Sequence, residues 1–294
     1  MRLLVTGASG YVGRQFLVST PGDWQITYLG RSEVVDASAR WVNCDLSSVS
    51  SAKAAAAELR DETFDAIIHL AAAVPKTAAE DTLENALNGN IHTTVNLLQY
   101  LGELAPKLII GSTAEVYDPA KIKGAITEDN VVAGGSYYGS TKMSSELIVQ
   151  SYAKKHDKEL TILRFSVMYG GYDPIARALP NFIRAAKSGQ DITVHGARVL
   201  RDYIHVDDVV RSIICAVNSD GAGVVNIGTG RGVSIEAAAR SISEIMQSSS
   251  KINIESQTGD VDIVIDIAKA RRLLDFQPQV LFPDKLDQMI TLYD

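Results

Sequence analysis

The sequence predicts an α/β fold, a doubly wound parallel sheet, on three observations. The chain opens on a short apolar strand, Arg2-Leu3-Leu4-Val5, that runs straight into Thr6-Gly7-Ala8-Ser9-Gly10-Tyr11-Val12-Gly13. Short apolar segments then alternate with helical ones as far as Phe165. The segment Phe64-Asp65-Ala66-Ile67-Ile68-His69-Leu70-Ala71-Ala72-Ala73 is a continuous apolar run, as expected of a strand with helices over both faces.

The glycines of the first turn each have a use. Gly7 lets the chain reverse tightly, Gly10 leaves no side chain between the backbone and an approaching pyrophosphate, and Gly13 lets the following helix pack on its strand. The unpaired amides and positive dipole end of that helix then suit a dianion. A tight turn with no ligand is the bland alternative, and the motifs downstream argue against it.

With 294 residues, 46% of them hydrophobic, the chain can bury a substantial core as one large domain or two modest ones. It carries 35 acidic against 28 basic residues, a net charge of −7, and has no Lys/Arg run, so neither nucleic acid nor an anionic membrane is an expected partner. Cys44 and Cys215 lie far apart and form no C-x-x-C, which fits a reducing cytoplasm and points away from a disulfide framework or zinc cluster. The amino terminus enters a strand after two residues, leaving no room for a signal peptide, and no apolar run approaches membrane-spanning length.

The first helix should end near Thr20-Pro21-Gly22, and Gln25-Ile26-Thr27-Tyr28-Leu29 reads as the second strand. An NAD site places an Asp or Glu at the end of this strand for the ribose hydroxyls; here stand Gly30-Arg31-Ser32. With no carboxylate to repel a 2′-phosphate, and with Arg31 and Ser32 placed to bind one, NADP is the expected preference over NAD. A solvated loop arginine is the alternative. Arg40-Trp41-Val42-Asn43-Cys44 reads as the third strand, delivering Asp45-Leu46 to its carboxyl end; Asp45 is placed either to accept from an adenine amino group or to cap the alanine-rich helix of Ala54 to Leu59. Small residues after the apolar fourth strand leave room for a cofactor backbone. His69 within it is expected to be a satisfied structural histidine.

Asn90 to Leu104 carries a helical apolar face through Ile91, Val95, Leu98 and Leu101 or Leu104. A fifth strand, Leu108-Ile109-Ile110-Gly111, brings Ser112-Thr113-Ala114-Glu115-Val116-Tyr117 to the same carboxyl edge. A looser stretch follows, ending in Ser136-Tyr137-Tyr138-Gly139-Ser140-Thr141-Lys142. Residues four apart share a helix face, so Lys142 lies beside Tyr138, where an ammonium would favour the phenolate of a group whose ordinary pKa is about 10. Thr113 is placed to hydrogen-bond the same substrate oxygen. An isolated Y-x-x-x-K is ordinarily a packed tyrosine and a solvated lysine; behind this glycine turn it reads as acid/base equipment.

At these residues the sequence resembles the extended short-chain dehydrogenase/reductase family, in particular its NAD(P)-dependent nucleotide-sugar epimerase/dehydratase branch. The glycine turn, Asp45-Leu46, His69-Leu70-Ala71-Ala72, Ser112 to Tyr117 and Tyr138 to Lys142 carry the likeness. It continues through Leu163-Arg164-Phe165 with Tyr169-Gly170, Arg201-Asp202-Tyr203-Ile204-His205-Val206-Asp207-Asp208, and Asn226-Ile227-Gly228-Thr229-Gly230. The resemblance implies a Rossmann domain over residues 1–166 with returning elements around 203–229, and a substrate-binding lobe over 167–202 and 230–294. It implies cofactor contacts from Gly7, Ser9, Gly10, Tyr11, Val12, Gly13, Arg31, Ser32, Asp45, Leu46, Leu70, Ala71, Ala72, Tyr138 and Lys142. Thr113, Tyr138 and Lys142 would be catalytic. Glu115 and Arg201 would face the substrate, Arg201 on a phosphate unless it pairs with Asp202 at the surface. A homodimer through the helices of Asn90 to Leu104 and Tyr138 to His156 is also implied. The remainder from Gly230 through Leu274 reads as helices with charged faces.

Three departures qualify the expected substrate. Ala114-Glu115 stands where dehydratases carry an Asp-Glu pair, Val167 where many relatives place an asparagine, and Gly259-Asp260-Val261-Asp262 puts an acid where a diphosphate-binding arginine is common. The expected activity is hydride transfer at a sugar carbon, C4 of a nucleotide-linked hexose, with a lean toward 4-ketoreduction. A 4-epimerase with tightly held NAD and a non-catalytic dinucleotide sensor are the alternatives. Glu115 allows proton transfer at the adjacent carbon, or simply packs near the cleft.

Overall fold

The computed structural model describes residues 1–34, 38–77, 79–171, 175, 177–255 and 261–293. In the first half, β1 (Arg2–Thr6), β2 (Gln25–Gly30), β3 (Arg40–Asn43), β4 (Ala66–His69), β5 (Lys107–Thr113) and β6 (Glu159–Phe165) alternate with α1 (Tyr11–Ser19), α2 (Val49–Glu58), α3 (Leu83–Ala86), α4 (Thr93–Leu101) and α5 (Tyr137–Lys155). The second half runs β7 (Val167–Tyr169), α6 (Ala178–Lys187), β8 (Ile192–His195), β9 (Leu200–His205), α7 (Val206–Asn218), β10 (Gly223–Ile227), β11 (Gly232–Ser234), α8 (Ile235–Ile245), β12 (Ile252–Glu255), α9 (Ala268–Leu274) and α10 (Leu286–Thr291).

Seven strands form one parallel sheet in the order β10-β6-β5-β4-β1-β2-β3. The pleat sorts its apolar residues. Leu3, Val5, Ile68 and Ile109 pack with Phe16 of α1 and Val209 and Ile213 of α7 on one face. Leu4, Ile67, Leu108 and Ile110 pack with Leu59, Leu97, Leu101 and Val149 on the other. Each such side chain, fully buried, contributes roughly 1.5–3 kcal/mol, so two-sided burial explains why these strands read as unbroken apolar runs.

Strand order turns back between β1 and β4, and in a sheet of this kind a crevice opens at that carboxyl edge. The second lobe holds a three-stranded sheet, β11-β9-β7, and the parallel pair β12-β8. Its own core gathers Phe182, Ile183, Ile192, Val194, Tyr203, Ile242 and Leu286. Between these elements β10 returns to the edge of the main sheet, where Val225 pairs with Leu163.

Three elements differ from expectation. The fourth strand is only Ala66–His69, because β1, its neighbour, stops pairing at Thr6 where Gly7 turns the chain. The helix expected from Asn90 begins earlier, at Leu83, and passes through a π turn, Leu87–His92, before α4. The stretch after Gly230 contains β11 and β12 as well as helices; Ile252 to Glu255 line up with Ile192 to His195. Gly259 and Asp260 lie outside the described residues.

Candidate active site

Steric demand explains two of the turn's glycines. Gly7 has φ +74°, and a Cβ there would meet the Ala71 amide nitrogen at 2.5 Å; one on Gly13 would stand 2.2 Å from the Gly7 carbonyl oxygen. The turn closes with Gly10 N–H donating to Gly7 O at 2.9 Å. Over it lies a cavity of about 600 Å³. Gly7, Ser9 and Gly10 form one wall, Leu70, Ala71 and Ala72 another, and Arg31, Asp45 and Leu46 the far end. Ser32 is exposed beside Arg31 and is not part of the wall. Asp45 Oδ1 accepts from Ser47 N–H at 2.9 Å and Ser47 Oγ at 2.7 Å, while Ser48, not Asp45, caps α2. The Leu46 carbonyl is held by Asn96 Nδ2 at 2.7 Å.

A second cavity, about 190 Å³, opens from the first and shares Gly7, Gly10, Leu70, Ala72 and Tyr138 with it. Tyr11, Val12 and Gly13 line it, with Thr113, Glu115, Tyr138 and Lys142. β5 delivers Thr113, and α5, capped by Ser136 accepting from Gly139 N–H at 3.0 Å, presents Tyr138 and Lys142 one turn apart.

The electrostatics of this cluster are set by burial. The Tyr138 phenol is pushed well above its ordinary range by burial and then by the Glu115 carboxylate; Arg177 and the Thr113 hydroxyl oppose the shift. Lys142 is pulled down to about 8 by burial, against the pull of Glu146. Its ammonium donates to the Gly111 carbonyl at 2.6 Å, so it is turned onto β5 and is not among the groups that move Tyr138, unlike the direct effect expected from the spacing. Glu115 is open to the cleft on one side, yet the walls around its carboxyl raise its pKa, with Arg177 lowering it and Asp81 raising it.

His69 is buried with Nδ1 2.7 Å from Thr6 Oγ1 and Nε2 3.1 Å from Thr94 Oγ1, and burial drops its pKa to about 3: a neutral structural residue. Arg201 Nη1 donates to the Leu200 and Val261 carbonyls at 3.0 and 2.7 Å. It does not pair with Asp202, whose carboxylate accepts from Thr229 N–H, Thr229 Oγ1 and Gly230 N–H. Arg201 lines a further cavity of about 310 Å³ that adjoins the 190 Å³ one across Val167 and Met168. Asp262 is engaged with the Leu200 amide at 2.8 Å.

Two cleft residues escaped sequence reasoning. Asn90 is buried in the π turn, accepting from Ala73 N–H at 2.9 Å and donating to Thr141 Oγ1 at 2.9 Å, which ties the edge of the dinucleotide-sized cavity to α5. A polar residue opening an apolar helical face was the signal. Arg177 lines three cavities and follows a loop with no periodicity to announce it.

Residues 3–228 match the model of the NAD dependent epimerase/dehydratase family. The chain belongs to that family. It is 30% identical to the dTDP-glucose 4,6-dehydratase of Mycobacterium tuberculosis (strain ATCC 25618 / H37Rv) over 71% of this chain and 66% of that protein. The UDP-glucose 4-epimerase of Lactobacillus helveticus is 28% identical over 95% of this chain and 92% of its own length. MoeE5, solved in complex with UDP-glucuronic acid and NAD, superposes with a TM-score of 0.84 at 26% identity, over 100% of this chain and 99% of that one. The family is NAD-dependent, and the residues present fit such a group: Gly7, Gly10, Ala71 and Ala72 keep the walls beside the turn free of large side chains, a side chain at Gly7 would collide with the Leu70–Ala71 backbone, and Arg31 and Asp45 make the far end polar. Among the described residues no cluster of three or more His, Cys, Asp or Glu side chains is arranged to hold a metal ion, and no helix is long and apolar enough to cross a membrane.

Proposed function

We propose that this protein is an NAD(P)-dependent oxidoreductase acting at a sugar carbon, C4, of a nucleotide-linked hexose. The observation that carries the reading is one continuous cleft lined by the glycine turn at one end and by Thr113, Tyr138 and Lys142 at the other. A nicotinamide dinucleotide held on the turn supplies the hydride acceptor and donor. Tyr138 exchanges the proton of the sugar hydroxyl; Thr113, beside it, orients that oxygen and favours the phenolate. Lys142 holds the nicotinamide ribose from its seat on Gly111. Ser9, Gly10, Tyr11 and Val12 bind the pyrophosphate, Asp45 and Leu46 the adenine side, and Leu70, Ala71 and Ala72 flank the dinucleotide.

Arg31, at the far wall and following Gly30 where an NAD site places its carboxylate at the end of the second strand, supports NADP and a 4-ketoreductase, with Ser32 as a second donor. The relatives named as 4-epimerases and the NAD held by MoeE5 support a 4-epimerase that keeps NAD. Buried Ala114 in place of an acid argues against dehydration. On this reading residues 1–166 with 203–229 form the cofactor-binding domain, and 167–202 and 230–294 the substrate lobe. The protein works in the cytoplasm as a homodimer packed through α4 and α5, where Leu147 is exposed.

Tyr138→Phe tests the assignment. Turnover of sugar nucleotides should fall at least about a hundredfold, the usual worth of a positioned proton donor, with dinucleotide affinity nearly unchanged. Undiminished turnover would refute the role of Tyr138, and a wild-type chain that binds dinucleotide yet turns over no sugar nucleotide would point to a sensor.

A further inference from the structure

Successive residues at the carboxyl end of β5 are used in different ways. The Gly111 carbonyl seats the Lys142 ammonium at 2.6 Å, the Ser112 hydroxyl donates to Glu146 Oε1, and Thr113 opens into the 190 Å³ cavity. Tyr138, Lys142 and Glu146 stand one turn apart along the buried stripe of α5, so the carboxylate is next in line behind the ammonium. Arg164 of β6 grips that carboxylate with a fork, Nε to Oε1 at 3.0 Å and Nη2 to Oε2 at 2.6 Å. It is the register partner of Ser112 across the two strands, which brings both side chains to the same carboxylate. Among the described residues its remaining nitrogen, Nη1, is buried without a hydrogen-bond partner, and the guanidinium carbon lies 4.7 Å from the centre of the Tyr117 ring.

Stability is a poor account of this arrangement. A buried ion pair gains little over apolar residues of the same size, because taking both charges out of water offsets their attraction. What the pair adds is a fixed negative charge and a fixed direction. The charge bears on Lys142, whose ammonium burial pulls toward the neutral form and Glu146 pulls back. The other titratable groups around that ammonium are Tyr138 on α5, Arg164 on β6, neutral His69 on β4, and Glu115 and Arg177 on the 190 Å³ cavity. The direction bears on β5. A bond from Ser112 to Glu146 holds the peptides on either side of it against α5, and with them the carbonyl that seats Lys142 and the Thr113 hydroxyl. We propose that Glu146, aimed by Arg164 and tied to β5 through Ser112, is a positioning residue of the reaction, the counter-charge of the Lys142 ammonium and the brace that holds Gly111 and Thr113 before Tyr138. The proposal rests on the oxidoreductase reading above.

NMR titration of Lys142 in NAD-loaded protein carrying isotope-labelled lysine, beside pH profiles of kcat and KM for UDP- and dTDP-linked hexoses, tests it. The variants are Glu146→Gln, Ser112→Ala and the double variant Glu146→Gln/Arg164→Met, which leaves no buried charge unpaired. In Glu146→Gln the Lys142 midpoint and the alkaline limb of kcat should both fall by about one pH unit or more, the usual effect of losing a close opposite charge. The double variant should shift the same way by less, since the Arg164 charge goes too. In Ser112→Ala the charge stays, so the midpoint should hold while kcat drops about tenfold or more at unchanged KM. Wild-type dinucleotide affinity at about pH 6, where Lys142 is charged in every variant, would report an intact fold. A Lys142 midpoint at the wild-type pH in both Glu146 variants would overturn the counter-charge, and a wild-type kcat in Ser112→Ala would overturn the brace. A wild-type protein that turns over no sugar nucleotide, while Lys142 still shifts in the variants, would instead defeat the oxidoreductase reading and leave the counter-charge standing.

Discussion

At the scale of single residues, burial decides which groups are ready for chemistry. Lys142, buried on the inner face of α5, has a pKa of about 8 where an exposed lysine has 10.5. Below pH 8 the folded chain holds a buried charge at a cost. Between about 8 and 10.5 the unfolded chain still binds a proton that the folded one has released, so stability rises with pH through that window. Lys142→Met should abolish this contribution: melting curves of the two proteins from about pH 7 to about pH 10 should show the wild type gaining on the variant above pH 8. Parallel pH profiles would refute the depressed pKa. That Tyr138 and Lys142 lie one turn apart on α5 was legible from spacing alone, since helix periodicity puts them on one face. That the ammonium turns onto Gly111 was not, because a carbonyl 31 residues earlier in sequence leaves no local trace. Arg177 was illegible for a related reason: its importance comes from which cavities meet at it, a property of the packed lobes.

At the scale of elements, the glycine turn is where sequence and fold agree most closely. A Cβ on Gly13 would approach the Gly7 oxygen to 2.2 Å and the Ala8 Cα to 2.6 Å, both backbone, so α1 would have to shift. Gly13→Ala should therefore lose about 1–3 kcal/mol of unfolding free energy, the usual cost of overpacking, and bind dinucleotide more weakly. Gly22→Ala, where nothing lies within 4 Å, is the matched control and should be neutral in both assays. Equal urea melts and equal dinucleotide titrations for the two variants would sink this account of the turn. The parallel strands were legible because two-sided burial writes itself as unbroken apolar sequence. β12 was not. Its Ile252-Asn253-Ile254-Glu255 is short and largely exposed, and only its parallel pairing with β8 identifies it. The π turn before α4 was hidden too, since it keeps a helical apolar pattern while inserting Asn90 toward Ala73 and Thr141.

At the scale of the whole molecule, the cleft exists because the two lobes are tied across it. Tyr11, one residue past Gly10, donates its hydroxyl to the Gly170 carbonyl beyond β7. Gln15 of α1 reaches Asp207 of α7 at 2.9 Å, and Asp207 accepts from Lys285 ahead of α10 at 2.6 Å. The helix that follows the glycine turn is thereby fastened to the segment after β7, to α7 and to the residue ahead of α10. In a chain of net charge −7, Arg31 on the first cavity and Arg177 and Arg201 on the smaller ones place local positive charge along the cleft. The most direct test of the central claim is to denature freshly purified protein, identify and quantify any dinucleotide released, and titrate the emptied, refolded protein with NADH and NADPH. One equivalent per chain, retained or rebound, is the predicted result; retained NAD would mark the epimerase cycle, and tighter NADPH the ketoreductase. A chain that neither releases nor binds either dinucleotide would contradict the account.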